Sequence, residues 1–138
     1  MKPLRIGWIG CGTHANEMLL PQLTRYDIEL AALCDTDDGR LGRTARRYGI
    51  AEADRTRDWR ALLARPDIDA IGIAAGPQAH HDIGIAALDC GLPVFMEKPP
   101  AATARQAEDL VAAQKRAGKP VVLGFMKRYS TANRIAAN

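Results

Sequence analysis

The chain has 138 residues, of which 47% are hydrophobic and 25% charged, and its formal net charge is +3. This length and composition are typical of one globular domain with a hydrophobic core. The small net charge, with bases dispersed among acids, argues against nucleic-acid binding, and the lack of a long apolar run argues against a membrane span or a signal peptide.

The first predicted element is a buried strand, Leu4 to Ile9, which ends at glycines and is followed by a helix from about Thr13. A G-x-G-x-x-A pattern begins at Gly10 and spans this break. In a dinucleotide-binding turn the first glycine permits the bend, Gly12 allows a pyrophosphate to approach, and Ala15 lets the helix pack closely. The free N–H groups and the helix dipole also favour phosphate. The alternative is a glycine turn with only a structural role.

The second predicted strand, Ile28 to Cys34, ends at Asp35, which lies 20 positions beyond Ala15. Dinucleotide folds place the carboxylate that binds the adenosine ribose at about this distance. A carboxylate suits the ribose hydroxyls of NAD, and it would repel the 2′-phosphate of NADP by roughly 4 kcal/mol per unit charge at 4 Å. Arg40 or Arg43 would offset this repulsion. The sequence therefore predicts NAD as the cofactor, with NADP as the alternative.

The remaining segments alternate between helices and strands with short connections. Pro21 predicts a kink or an early end in the first helix. Further helices are predicted at 37–48, 58–65, 78–90 and 103–117, strands at 69–74, 93–96 and 121–125, and a weak strand at 50–54. In the last helix, Leu110 and Val111 are predicted to face inward. Continuous apolar strands joined by helices predict a doubly wound parallel sheet, the Rossmann fold, in a single domain.

The cysteines Cys11, Cys34 and Cys90 have no metal-ligand spacing, and their odd number argues against a disulfide framework. We therefore expect small buried side chains, no metal site, and a cytoplasmic protein.

Several motifs then follow in register with the glycine turn and Asp35. They are the run 69–80 that ends at His80, the sequence Glu97-Lys98-Pro99 after a strand, and the segment 124–128 that ends at Arg128. Together they resemble the N-terminal half of the glucose–fructose oxidoreductase, inositol dehydrogenase and rhizopine-catabolism family (Gfo/Idh/MocA). The resemblance implies an NAD(P)-binding Rossmann domain over residues 1–129. Residues 130–138 would begin the linker into a substrate domain that the sequence lacks.

The resemblance implies that Lys98 is catalytic. In the family the matching lysine lies beside the nicotinamide and binds the substrate oxygen, where an ammonium stabilises the developing alkoxide. Glu97 would orient Lys98 or bind the nicotinamide ribose, His80 would line the nicotinamide side of the cleft, and Arg128 would lie near it. The alternatives are that Lys98 is an ordinary surface lysine and that Glu97 forms an ordinary ion pair. Likewise, His80 would be a structural histidine, and Arg128 would pack on the second domain.

The predicted cofactor-binding residues are Gly10, Cys11, Gly12, Thr13, His14, Asp35, Ala75, His80, Glu97, Lys98 and Arg128. His14 replaces the family's usual apolar residue at the start of the phosphate-binding helix. Ala75 and Gly76 replace its usual Thr-Pro, so a hydroxyl contact to the cofactor is expected to be missing. His81 has no counterpart in the resemblance and is expected to face solvent.

The expected function is therefore hydride transfer between a nicotinamide cofactor and a sugar, polyol or related cyclic alcohol. The family's aspartate and histidine for proton transfer belong to the second domain, so this chain alone is expected to bind cofactor without completing catalysis. The alternatives are a stand-alone nucleotide-sensing or partner-docking module and an S-adenosylmethionine site, in which Glu97-Lys98-Pro99 would have no role. Without its second domain the chain is expected to expose an apolar patch around Lys98, Phe125 and Tyr129, and to self-associate through it.

Overall fold

The computed structural model describes residues 2–125 and contains one six-stranded sheet. Its strands are β1 (Leu4–Ile9), β2 (Ile28–Cys34), β3 (Arg55–Thr56), β4 (Ala70–Ile73), β5 (Val94–Met96) and β6 (Val121–Leu123). They lie in the order β3-β2-β1-β4-β5-β6, and every neighbouring pair is parallel. This is the strand order of a doubly wound Rossmann sheet, so the predicted fold class is confirmed.

Helices cover both faces of the sheet. They are α1 (Leu20–Leu23), preceded by a π-helical turn (Ala15–Leu19), then α2 (Asp38–Tyr48), α3 (Trp59–Leu63), α4 (Pro77–Asp89) and α5 (Ala104–Ala117). The side chains of Asp37, Asp58 and Thr103 cap α2, α3 and α5 by accepting a hydrogen bond from a first-turn N–H. These boundaries agree with the predicted helices.

Two of the predicted elements need correction. The segment 50–54 is not a strand: Ile50 N–H closes the end of α2 by bonding to Ala45 O at 2.9 Å, and a 3-10 turn (Glu52–Asp54) follows before β3. The irregularity expected at Pro21 lies just before it, where Leu20 N–H bonds to Ala15 O in the π-helical turn. The helix then continues through Pro21 for one short turn to Leu23.

Two side chains predicted to be buried are exposed instead. Val111 is 50% exposed, because the buried stripe of α5 runs through Leu110 and Ala113. Cys90 is exposed because it follows the last residue of α4 and caps its C-terminal end.

The core lies on both faces of the sheet. One cluster includes Ile73, Leu88 and Met96, on the face covered by α3, α4 and α5, and the other includes Trp8 and Leu33. Burial on both faces explains why the strands are continuous apolar runs. Among residues 2–125, every helix is too short or too polar to cross a lipid bilayer.

A group of ion pairs links residues at the edge of the sheet where the parallel strands begin. Arg5 contacts Glu29 at the start of β2 and donates from Nη2 to Asp67 Oδ2 at 2.9 Å. Arg65 donates to both oxygens of Asp67, at 2.9 and 2.8 Å, and to Asp54 at 2.7 Å. Asp67 therefore joins the guanidinium group of Arg5 on β1 to that of Arg65, which follows α3.

We predict that Asp67→Asn destabilises the fold in a pH-dependent way. Hydrogen bonds from Arg65 and Arg5 hold the pKa of Asp67 well below its usual range. The carboxylate therefore stabilises the fold above its unfolded pKa of about 3.9, and this stabilisation is lost as the pH falls toward the lowered folded value. Because the side chain is 39% exposed, solvent screening limits the expected loss at pH 7 to about 1 kcal/mol.

Urea denaturation followed by circular dichroism would measure this effect. The difference between Asp67→Asn and the unmodified chain should shrink as the pH falls from 7 to 3. Asp89→Asn is the matched control, since its pair with Arg116 joins two well-exposed side chains. Equal destabilisation by both substitutions at pH 7 would contradict the prediction.

Candidate functional site

A cleft of about 830 Å³ opens at the edge of the sheet where the parallel strands end. Its lining includes Gly10, Gly12, Asp35, Ala75 and Gln78, so the ends of β1, β2 and β4 all contribute to it. The chain crosses from β3 at one side of the sheet to β4 beside β1, which makes this edge the topological switch point. Ligands of doubly wound sheets bind at such a point.

The glycine turn has the geometry that its sequence predicts. Gly10 has φ +98°, and a Cβ there would lie 2.1 Å from the carbonyl oxygen of Ala74. Only glycine therefore allows the ends of β1 and β4 to approach this closely. A Cβ at Gly12 would meet no atom of the other described residues within 4 Å, so the turn leaves open space beside the first helical residues, Thr13 and His14. The amides that open a helix lack intrahelical acceptors, so this space suits a phosphate.

The side chain of Asn16 holds the glycine turn in place through hydrogen bonds to its backbone. Its Nδ2 lies 3.0 Å from Cys11 O, 3.1 Å from Gly12 O and 2.9 Å from the hydroxyl of Thr44 on α2. The sequence interpretation missed this residue. The available signal was an amide side chain in the first turn of a helix, where such side chains commonly bond to nearby backbone groups.

Asp35 is buried against the same turn. Its Oδ2 accepts the Cys11 N–H at 2.7 Å, and its Oδ1 accepts the Asp37 N–H at 2.8 Å. Arg40 Nη2 lies 3.2 Å from Oδ1. The residue is only 7% exposed, yet it lines the cleft. The carboxylate is therefore fixed beside the glycine turn by charge-assisted hydrogen bonds.

Arginines surround the Asp35 side of the cleft. A smaller pocket of about 280 Å³ adjoins the turn, and its lining includes Arg40, Arg43 and Arg47 from α2. In the main cleft, the guanidinium of Arg60 lies 4.2 Å from the ring centroid of Trp59, and both residues line the wall. Trp59 and Arg60 were not among the predicted site residues, because a short helix after β3 gave no sign that it reaches the cleft.

The sequence Glu97-Lys98 follows β5 at the same edge of the sheet. Glu97 is only 4% exposed, and its Oε2 lies 3.5 Å from Nε2 of His14. Its Oε1 is buried and has no hydrogen-bond partner within residues 2–125. A Cβ at Gly124 would lie 2.3 Å from this oxygen, so the absence of a side chain at 124 makes room for the carboxylate. Lys98 is exposed, and its N–H donates to Glu97 Oε2 at 3.3 Å.

His80 lies behind the cleft in the first turns of α4 and is fully buried. Its Nε2 accepts the N–H of Ala75 at 3.1 Å, and its Nδ1 lies 2.7 Å from the carbonyl oxygen of Pro99. Backbone groups therefore engage both ring nitrogens. His81, which was expected to face solvent, is instead largely covered: its side chain is 15% exposed and its Nδ1 lies 2.7 Å from Asp82.

Two residues of the predicted apolar patch lie within the described part of the chain, and both are exposed. Phe125 is 42% exposed, and Lys98 is exposed as well. Arg128 and Tyr129 lie outside the described residues, so their predicted roles stay predictions, as does self-association through this surface.

Two of the three cysteines, Cys11 and Cys34, are buried. Burial raises the pKa of the Cys11 thiol to about 11, with a further contribution from the Asp35 carboxylate. It also raises the pKa of the Cys34 thiol to about 12. In residues 2–125, no group of three or more His, Cys, Asp or Glu side chains is arranged to hold a metal ion.

Comparisons with known proteins agree with this geometry. The model of the Gfo/Idh/MocA family, described as an oxidoreductase family with an NAD-binding Rossmann fold, matches residues 4–125. Inositol 2-dehydrogenase from Salmonella typhimurium is 34% identical over 128 residues, which cover 91% of this chain and 38% of that protein. D-glucoside 3-dehydrogenase from Escherichia coli is 30% identical, over 93% of this chain and 36% of that protein.

A solved structure shows the same fold. The 3-ketoreductase KijD10 from Actinomadura kijaniata, in complex with TDP-benzene and NADP, is 30% identical, with a TM-score of 0.86. The match covers 98% of this chain and 42% of KijD10. The chain thus spans about two fifths of the length of the relatives it matches.

We predict that the three cysteines differ sharply in reactivity. At a pKa of about 11, on the order of one Cys11 thiol in a thousand is a thiolate at pH 8, and Cys34 has fewer still. The exposed Cys90 should therefore react first with a disulfide reagent such as DTNB, giving one equivalent in the folded chain and three in denaturant. The Cys90→Ser variant should show almost no fast phase. A fast phase of two or more equivalents in the folded chain would contradict the burial of Cys11 and Cys34.

Proposed function

Because the chain belongs to the Gfo/Idh/MocA oxidoreductase family, we propose that it is the NAD(P)-binding portion of an enzyme that transfers hydride to or from a sugar, polyol or related cyclic alcohol. One observation carries the proposal: Asp35, bonded to the Cys11 amide at 2.7 Å, lies at the same sheet edge as the open space over Gly12. The substrate class is inferred from the names of the matched inositol and glucoside dehydrogenases.

The residues at this edge fit a nicotinamide dinucleotide. Gly12 leaves room for a pyrophosphate, and the amides of Thr13 and His14 would bind it at the positive end of the helix dipole. Asp35 would accept hydrogen bonds from the adenosine ribose hydroxyls, while its bond to Cys11 keeps it in position. Trp59 would supply an apolar wall beside the adenosine. When bound, the nicotinamide supplies or accepts the hydride.

Lys98 and Glu97 would form the reactive end of the site. Lys98 is exposed just beyond β5 and would donate to a substrate oxygen, where its charge would stabilise a developing alkoxide. Glu97 is buried beneath it, and its bond from the Lys98 N–H fixes the start of that loop. Glu97 Oε1, which has no partner within residues 2–125, would accept a hydrogen bond from a ribose hydroxyl, since buried acceptors are nearly always satisfied.

The charges around Asp35 favour NAD over NADP. A 2′-phosphate on the ribose would lie beside the Asp35 carboxylate, and the nearest guanidinium, that of Arg40, is already paired with it. Arg43 and Arg47 line the adjoining pocket and would moderate the repulsion. We therefore propose NAD as the preferred cofactor, with NADP bound more weakly.

We propose residues 1–129 as the cofactor domain and residues 130–138 as the start of the link to a substrate domain. Residues 1–138 alone would bind the cofactor and would not catalyse turnover of a substrate, because the family's proton-transfer pair belongs to the second domain.

The alternative of a stand-alone sensing or docking module predicts a stop codon directly after codon 138. An in-frame continuation favours the oxidoreductase.

We predict that the chain binds NAD and that Gly12→Ala weakens this binding at least tenfold, or about 1.4 kcal/mol. The added methyl group meets no atom of the other residues in 2–125, so the fold should be preserved, but it occupies the space proposed for the pyrophosphate. Gly42→Ala adds the same group within α2, where only the flexible Arg46 is near, and serves as the matched control. Calorimetric titration of NAD would measure all three affinities. Failure of the unmodified chain to bind NAD or NADP at millimolar concentration would refute the proposal.

We also predict that Asp35→Asn shifts the cofactor preference toward NADP. The amide oxygen can still accept the Cys11 N–H, although the NH₂ group then replaces the oxygen that accepts the Asp37 N–H. Loss of the charge removes the repulsion and leaves Arg40 without its carboxylate partner. The ratio of the NADP to the NAD dissociation constant should fall at least tenfold, or about 1.4 kcal/mol, which is well within the roughly 4 kcal/mol available at 4 Å.

Asp38→Asn is the control for this experiment, because it removes an exposed carboxylate of α2 that is paired with Arg57. The same calorimetric titrations apply. If the two substitutions change the ratio equally, or if neither changes it, then Asp35 does not set the cofactor preference.

A further inference from the structure

The side chain of His80 connects the loop that follows β4 to the loop that follows β5. The last hydrogen bond between β4 and the segment after β5 runs from Glu97 N–H to Ile73 O, at 3.0 Å. Beyond it, in the part of the chain that the structure describes, the imidazole of His80 links Ala75 on one side to Pro99 on the other. Ala75 lines the main cleft, and Pro99 directly follows Lys98.

The two bonds define the state of the ring. A backbone N–H can only donate, so Nε2 of His80 must carry the lone pair that accepts the Ala75 N–H. A carbonyl can only accept, so Nδ1 must carry the hydrogen that it donates to Pro99. One neutral tautomer satisfies both bonds. A doubly protonated ring would set an N–H against the N–H of Ala75 inside the core.

From this geometry we propose that His80 is a positioning residue for Lys98. The neutral, fully buried imidazole fixes the Pro99 carbonyl, and with it the backbone that carries Lys98, against the cofactor side of the cleft at Ala75. The use of Lys98 in hydride transfer rests on the proposed function. The link between the two loops does not rest on it.

A histidine that merely fills the core would act only through stability. Position 80 lies among buried residues of α4 such as Ile83, and a well-packed ring alone would explain its burial. The positioning role instead requires each ring nitrogen to act on a different loop. Substitutions that keep one bond and lose the other separate the two interpretations.

The chain allows a matched pair of variants. In His80→Asn the amide NH₂ falls near the position of Nδ1 and can still donate to Pro99, while the bond from Ala75 is lost. In His80→Gln the amide oxygen falls near the position of Nε2 and can still accept from Ala75, while the bond to Pro99 is lost. Both variants remove the ring, so a loss of packing is common to the two.

Nuclear magnetic resonance of the 138-residue chain is the first test. The ring nitrogen and carbon shifts should report the Nδ1–H tautomer in the unmodified chain. Hydrogen exchange of the Ala75 amide should accelerate at least tenfold in His80→Asn and much less in His80→Gln. The carbonyl carbon shift of Pro99 should move in His80→Gln and stay close to its original value in His80→Asn.

Cofactor affinity is the second test. His80→Gln should weaken binding of NAD at least threefold while the affinity for ADP-ribose, which lacks the nicotinamide, is unchanged. If the unmodified chain binds neither compound, the proposed function fails, whereas the tautomer and exchange results still decide the role of His80. An Nε2–H tautomer, or equal effects of both variants on Ala75 exchange and on the Pro99 shift, would overturn the positioning role. If neither variant folds, the tautomer and the protection of the Ala75 amide in the unmodified chain decide it.

Discussion

The close approach of β1 to β4 at Gly10 is the contact on which the rest of the site depends. With φ +98° and the Ala74 carbonyl where a Cβ would lie, this position admits only glycine without moving one of the two central strands. The bend turns Cys11 so that its N–H meets Asp35, at the end of the strand on the other side of β1. One backbone conformation thus brings the ends of three strands, β2, β1 and β4, into register around the cleft.

Two buried carboxylates lie on either side of this turn, and their surroundings differ. Burial of a charge is costly unless hydrogen bonds replace the lost water. Asp35 receives two backbone N–H groups and lies near a guanidinium, so its position is fixed by the protein itself. Within the described residues, Glu97 has the Lys98 N–H and the nearby His14 ring at one oxygen and no partner at the other. The Asp35 side is therefore preorganised, while the Glu97 side retains an acceptor for a further group.

The parts of the site that the sequence predicted are those set by local chemistry. Gly10 and Asp35 are fixed by the path of the backbone and by the ends of strands, and the predicted helices 37–48 and 103–117 begin at side chains that cap them within one turn. Local patterns fail where packing decides: Val111 follows a buried residue on an amphipathic helix, yet it lies outside the buried stripe.

The contacts that the sequence did not reveal join residues distant along the chain. The motif containing Gly124 was recognised in the sequence, but the reason for a glycine at this position was not. The carboxylate of Glu97, 27 residues earlier, occupies the space that a side chain at 124 would need. His80 was predicted to line the cleft, whereas its ring bonds to backbone groups 5 and 19 residues away. Asn16, Asp35 and His80 all use polar atoms to hold the backbone at the edge of the sheet where the cleft opens. These side chains hold the loops in place, while the exposed Lys98 is the residue proposed to contact a substrate, so rigidity and proposed reactivity at this edge belong to different residues.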